Sequence, residues 1–305
     1  MPTLVSMTST PWTAAQLSSW NGRTVVVTGA NSGLGLVTSR ELARAGARVV
    51  MAVRDTERGE RAAASLSGTT EVRRLDLADL ASIREFAKDL DGDIDVLVNN
   101  AGVMAIPAAR TADGFEMQFG TNHLGHFALT NLLLPQVTDR VVTVSSSEHR
   151  RGSMDFDDLN WRTRKYDAWA AYRQSKLANL LFVLELQRRL TAAGSSVRSF
   201  GAHPGYSSTN LQSHSGHWLS DAGMRIGNLV IAQSDEKGAL PSLFAASQDL
   251  PGASYLGPDG PLELRGHPTL VGRTAKASDP EAAKRLWTMS EELTGVHFGL
   301  GVAPA

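Results

Sequence analysis

Tyr172 and Lys176 stand four residues apart in Ala171–Leu180, the start of a helical pattern that runs to about Leu190. That spacing places both side chains on one helix face, one turn apart. A free phenol has a pKa of about 10, too high for ready proton exchange near neutrality. A neighbouring ammonium favours the phenolate, lowers that pKa and makes the phenol a usable acid or base. A helix can also carry a Tyr and a Lys with no such purpose, so the meaning of the pair rests on what else the chain supplies.

The first supply is upstream. Thr24–Val27 is a β-branched run, Thr28–Gly35 (TGANSGLG) is glycine-rich, and a helical pattern continues through Ala45. Strand, glycine turn and helix in that order form a phosphate cradle: glycines let the backbone approach a pyrophosphate, and a helix start offers free N–H groups and a positive dipole end. Gly29, Asn31, Ser32, Gly33, Leu34 and Gly35 are therefore candidate dinucleotide contacts. The next strand, ARVVMAV, ends at Arg54-Asp55. An acidic residue near this point accepts the ribose 2′-hydroxyl of NAD, whereas an arginine accommodates the 2′-phosphate of NADP. Arg54 comes first, and a guanidinium suits a phosphate. The expectation is NADP(H) in preference to NAD(H).

Seven strands are expected: 24–27, 47–53, 71–75, 96–98, 140–144, 197–202 and 253–256. Helical patterns at 56–66, 79–90, 115–134, 172–190, 237–247 and 280–294 follow the helix after the glycine turn. Repeated β-α units with short links imply parallel strands and right-handed crossovers. The predicted fold class is therefore α/β, a doubly wound parallel sheet (Rossmann fold) with helices on both faces, in a single domain. Residues 1–20 are expected to be an N-terminal arm, residues 21–305 the Rossmann domain, and about 206–234 a substrate-loop region. Ligands in such sheets bind at the carboxyl ends of the strands. The Gly29 turn, Arg54, Asp76-Leu77 and Asn100-Ala101-Gly102 all fall there. Asn122 and Gly125 in the long fourth helical pattern are poor helix formers, so a local irregularity is tolerated. Ser145-Ser146-Ser147 follows the fifth strand, and chemistry alone does not choose among them. His203-Pro204-Gly205 ends the sixth strand, with His203 expected to order the turn.

Composition excludes other classes. A net charge of −1 with no basic block gives no footprint for nucleic acid. The absence of cysteine removes disulfides, thiolate metal sites and cysteine nucleophiles, and permits a cytoplasmic location. No apolar run reaches the roughly 18–20 residues of a membrane span. His123 and His126 are expected in packing or polar contacts, because no carboxylate pattern surrounds them. Asp155, Asp157 and Asp158 lack the glycine and terminal glutamate of a calcium loop, so a solvated acidic turn is expected and no metal site.

With these pieces placed, residues 20–295 resemble the short-chain dehydrogenase/reductase family, and within it the retinol-dehydrogenase-like bacterial oxidoreductase branch. The matching elements, in order, are Thr28–Gly35, Asp76-Leu77, Asn99–Gly102, Asn122–Phe127, Val144–Ser146, Tyr172–Lys176 and Pro204-Gly205. The resemblance implies a catalytic tetrad of Asn122, Ser146, Tyr172 and Lys176, and adds Tyr172, Lys176, Pro204 and Gly205 to the cofactor contacts. Tyr172 would move the hydroxyl proton while hydride passes between nicotinamide and substrate. Ser146 would hold the substrate oxygen. Lys176 would lower the Tyr172 pKa and hold the nicotinamide ribose, with Asn122 supporting a water linked to Lys176. The implied partner is a small apolar carbonyl or alcohol, given the Trp, Met, Leu and Ile content of 206–234. The helices at 115–134 and 172–193 pair across dimers in many members, so a homodimer is one expectation. Two other readings stand beside this one: a cofactor-bound sensor or scaffold without turnover, and a protochlorophyllide-reductase-like enzyme, against which the lack of cysteine counts.

Overall fold

The valine-rich strands are unbroken apolar runs because both of their faces are buried. Along β1 (Thr24–Thr28), Val26 faces one core together with Val50, Leu97 and Val141. Val25 and Val27 face the other, with Val49, Met51, Val96, Val98 and Val142. This two-sided burial forces helices onto both faces of the sheet. The computed structural model describes residues 11–206 and 234–300.

In chain order, β1 leads to α1 (Gly33–Arg44), β2 (Arg48–Val53), α2 (Thr56–Ala63), β3 (Thr69–Arg74), α3 (Leu80–Asp89) and β4 (Ile94–Asn99). A short α4 (Met117–Phe119) runs through a π-helical turn (Gly120–Leu124) into α5 (Gly125–Leu133), then β5 (Val137–Val144). After α6 (Ala168–Ala192) and β6 (Arg198–Ala202) come α7 (Asp235–Gly238), α8 (Leu240–Ser247), β7 (Tyr255–Pro258), β8 (Pro268–Leu270) and α9 (Pro280–Thr294). The sheet order is β3-β2-β1-β4-β5-β6-β7-β8. The strand order reverses between β1 and β4, which pair in parallel through Val26 and Leu97. Seven strands were expected, and the sheet has eight among the described residues. The eighth is a three-residue strand that pairs antiparallel with β7, too short for a periodicity signal. Most of the expected substrate-loop region, 207–233, lies outside the described residues. Among the described residues no helix is long and apolar enough to cross a membrane.

The C-terminal helix has a specific job. Asp279 caps α9 by accepting from the N–H groups of Glu281 and Ala282, and Gly295 closes it at φ +60°. Trp287 is 1% exposed and stacks on Phe182 at 5.7 Å and edge-on to Phe127 at 4.9 Å. The Arg189 guanidinium lies 4.5 Å from its ring, and its indole N–H donates to Glu291. Through these contacts α9 covers α5 and α6.

Truncating Trp287 to Ala leaves a cavity between Phe127 and Phe182. Urea unfolding of the variant should show a loss of about 3–5 kcal/mol relative to the parent. A loss within the error of the extrapolation would mean that α9 is only loosely attached.

Candidate active site

At the end of β1 the backbone must turn sharply while three segments converge, and glycine alone permits it. Gly29 sits at φ +66°, and a Cβ there would come within 3.0 Å of Ala101. Gly35 is tighter: a Cβ would lie 2.4 Å from the Gly29 carbonyl and 2.5 Å from the Asn100 amide. These contacts bring α1, the Gly29 turn and Asn100-Ala101 of the β4 end into one concave cradle, with Asn31, Ser32, Gly33 and Leu34 partly exposed along it. The start of α1 differs from the starts of α2, α3, α6 and α9. Asp55, Asp79, Asp167 and Asp279 each cap their helix through a carboxylate, whereas Ser32 makes no side-chain cap bond and no acidic residue lies in the first turn of α1. An anion would find free N–H groups and no competing carboxylate there. These residues fit a dinucleotide pyrophosphate.

Arg54 and Asp55 lie just past the end of β2, both exposed, with the Asp55 carboxylate committed to the Arg58 N–H. Asp76 follows β3 and accepts from Ala78 N–H; Leu77 beside it is buried. Gly125 has no side chain because Leu77 O would lie 2.4 Å from its Cβ. Pro204-Gly205 follows β6. Gly205 is at φ +69° and donates its N–H to His203 Nδ1 at 3.2 Å, so His203 Nε2–H faces Glu263 at 3.1 Å. His203 does order the turn.

One hydroxyl ties the cradle together. Thr28 Oγ1 accepts the N–H groups of Asn100 and Ala101, each at 2.9 Å, and lies 2.9 Å from His126 Nε2. His126 Nδ1 faces the Asn122 carbonyl at 3.0 Å, so Nδ1 carries the proton and Nε2 accepts the hydroxyl proton of Thr28. Sequence reasoning placed His126 in polar contacts and overlooked Thr28; its position directly before Gly29 was the available signal. The irregularity expected around Asn122 is the π-helical turn. The Asn122 side chain is fully occupied, accepting from Val103 N–H and donating to Val103 O and Ser175 Oγ. Its backbone carbonyl accepts from His126 Nδ1. Gly102 sits against this group: a Cβ there would lie 3.1 Å from Asn122 Oδ1 and 3.6 Å from Lys176 Nζ.

The structure distinguishes the serines. Ser145 is buried and donates to the Lys176 carbonyl at 2.8 Å, so its hydroxyl is spent on α6. Ser146 is partly exposed, accepts from Glu148 N–H, and its hydroxyl acts on the Tyr172 phenol in the direction that favours the phenolate. Lys176 Nζ lies 5.7 Å from the Tyr172 ring centre and donates to Val144 O at 3.1 Å. The electrostatics differ from the sequence expectation. Burial pushes the Tyr172 phenol up to about 12, opposed by the Ser146 hydrogen bond and reinforced by the Glu148 carboxylate. Burial likewise pushes Lys176 down to about 8. The ammonium was expected to lower the phenol. Here the ammonium is directed at a carbonyl, and burial of the phenol decides the direction.

Residues 23–220 match the family model for short chain dehydrogenase. The chain belongs to the short-chain dehydrogenase family. Human retinol dehydrogenase 13 is 45% identical over 291 residues, covering 90% of this chain and 85% of that protein. Mouse polyprenol dehydrogenase is 41% identical over 297 residues, with 91% and 85% covered. Among solved structures, an uncharacterized protein from Mycobacterium paratuberculosis is 58% identical with a TM-score of 0.84, over 95% of this chain and 99% of that one. A Beutenbergia cavernae structure described as an NAD(P)-dependent gluconate 5-dehydrogenase, with bound NADP, is 27% identical with a TM-score of 0.57, over 75% and 91%. This short-chain dehydrogenase is an oxidoreductase that acts on CH–OH groups with a nicotinamide cofactor.

Burial holds His126 down to about 4 and His123 down to about 3, so both are neutral in the fold near pH 7. The unfolded imidazoles take up protons below about pH 6.5, while the folded ones resist until about pH 4 or 3. Their stabilising contribution is complete above about 6.5 and is lost as pH falls, by up to about 1.4 kcal/mol per pH unit per histidine. Urea unfolding between pH 6.5 and 4.5 should show that slope, and His126→Gln should make it shallower. An unchanged slope in the variant would show that His126 is not held neutral.

Proposed function

We infer that this chain is an NADP(H)-dependent oxidoreductase that interconverts an apolar aldehyde or ketone with its alcohol, using Tyr172 as acid and base. The observation that carries this reading is the buried Tyr172 phenol, on the same helix face as Lys176, whose ammonium is held at the end of β5 by Val144 O and lies beside Gly102 of the glycine cradle.

Gly29, Gly33, Gly35 and the first turn of α1 would hold the pyrophosphate, Arg54 the 2′-phosphate, and Asn100–Gly102 the central part of the cofactor. Bound there, the nicotinamide supplies or accepts the hydride. The protein's own residues handle the oxygen. Ser146 donates to the substrate oxygen as negative charge builds, and because its position is set by the cap to Glu148 N–H, little reorganisation is needed. Tyr172 is a neutral phenol at pH 7 and gives its proton to that oxygen during reduction. In the reverse direction it takes the alcohol proton. Lys176, held by Val144 O within reach of the phenol, supplies positive charge that favours the phenolate left behind. The apolar character of the substrate is supported by the relatives, which are named for retinol and polyprenol.

Purified protein with NADPH should consume the cofactor when given apolar aldehydes, ketones or retinoids. Arg54→Ala should lower kcat/KM for NADPH by about 10–100-fold, the range of a lost charge-assisted hydrogen bond, and leave NADH within about threefold. Equal losses with both cofactors would remove Arg54 from phosphate recognition. Inertness across a broad substrate panel with NADPH bound would remove the enzyme reading.

A further inference from the structure

Three tryptophans in the body of the fold, Trp20, Trp161 and Trp287, are 2%, 8% and 1% exposed, whereas Trp169 is 43% exposed. Trp169 lies in the first turn of α6, three residues before Tyr172 and therefore on the same helix face. Its ring meets the Tyr172 ring edge-on, at 6.0 Å and 84°. An exposed indole in the first turn of a helix would be expected to sample several rotamers, but here neighbours hold it. The Arg173 guanidinium lies 5.7 Å from the Trp169 ring, and Arg173 Nε donates to Glu148 Oε2 at 2.6 Å. Glu148 in turn donates its backbone N–H to Ser146 Oγ at 3.2 Å. These contacts run as a chain from the Trp169 indole through Arg173 and Glu148 to Ser146, whose hydroxyl favours the Tyr172 phenolate. The polar members face one another, and the wide apolar member is left open to solvent.

We propose that Trp169 is a specificity-determining residue of this enzyme: its exposed indole forms the wall against which an extended, flat apolar chain lies while its terminal carbonyl or hydroxyl reaches Tyr172 and Ser146. This rests on the oxidoreductase reading above. The indole is amphipathic, broad and restricted to two torsions, so it offers contact area at low entropic cost. Covering it removes apolar surface from water, a gain proportional to the area covered. A long conjugated or isoprenoid chain covers it; a three-carbon aldehyde does not extend past the ring of Tyr172. The wall therefore contributes to binding of long substrates and leaves proton transfer untouched.

The test uses the full chain, with Trp169→Ala and Trp169→Phe beside the parent and NADPH saturating, on all-trans-retinal and on propanal. Because Trp169 is substantially exposed, both variants should melt within a few degrees of the parent. Trp169→Ala should raise KM for retinal about tenfold or more, keep its kcat within about threefold, and leave kcat/KM for propanal within about twofold. Trp169→Phe should recover most of the retinal affinity. A fall in kcat shared by both aldehydes would show that Trp169 acts only by holding Tyr172, and no change with either would show that it does not touch substrate; each result overturns the proposal. Equilibrium binding of all-trans-retinol to the NADP-loaded protein, followed by quenching of intrinsic fluorescence, separates this proposal from the oxidoreductase reading. If the parent binds retinol but turns over neither aldehyde, the reading of activity fails. The wall still stands if Trp169→Ala weakens binding about tenfold, and falls if it does not.

Discussion

A single threonine hydroxyl has three close neighbours at 2.9 Å, a fourth in Val98 O at 3.4 Å, and one proton to give. Thr28 Oγ1 takes the N–H groups of Asn100 and Ala101, which leaves its proton for His126, and His126 gives its own proton to the Asn122 carbonyl. Thr28, His126 and Asn122 are essentially excluded from solvent. Leaving one such group unpaired in the interior costs about 1–3 kcal/mol. The consequence is geometric. The end of β1, the end of β4 and the π-helical turn before α5 are held as one piece, so the glycine cradle and the helix carrying Tyr172 keep a common frame. A reaction that depends on placing two reactants against each other needs such a frame before it needs any particular acid or base.

Within that frame, burial sets the protonation states. The phenol of Tyr172 is pushed up to about 12 and the ammonium of Lys176 down to about 8, both because water is excluded from the charged form. A neutral phenol beside a serine hydroxyl is prepared to donate. The same exclusion of water raises the value of any charge placed nearby, so on the proposed mechanism Lys176 would act more on a phenolate than on the resting phenol. Glu148 opposes ionisation of the phenol and simultaneously anchors Arg173, coupling the rim of the site to its centre.

Much of this was legible from residues alone, for identifiable reasons. Glycine spacing after a valine-rich run reports a backbone requirement, and Gly29 and Gly35 meet it through contacts no other residue allows. Two-sided burial makes strands read as apolar runs, so the parallel sheet was visible apart from β8, whose three residues carry no period. Tyr172 and Lys176 share a face because a helix dictates it. What could not be read depends on tertiary neighbours. Ser145, Ser146 and Ser147 are equivalent until Lys176 O claims the first. The direction of the Tyr172 shift required knowing that the folded chain buries the phenol. The covering of α5 and α6 by α9 required seeing Trp287 enter between Phe127 and Phe182.

The central claim is that Tyr172 moves the substrate proton. Its most direct test is steady-state reduction of an apolar aldehyde by Tyr172→Phe, with NADPH affinity measured separately by fluorescence. The two side chains differ by one oxygen, so packing is preserved. The account predicts a fall in kcat of about 100- to 10,000-fold with NADPH affinity kept within about threefold. A variant that binds NADPH and turns over at the parent rate would contradict it.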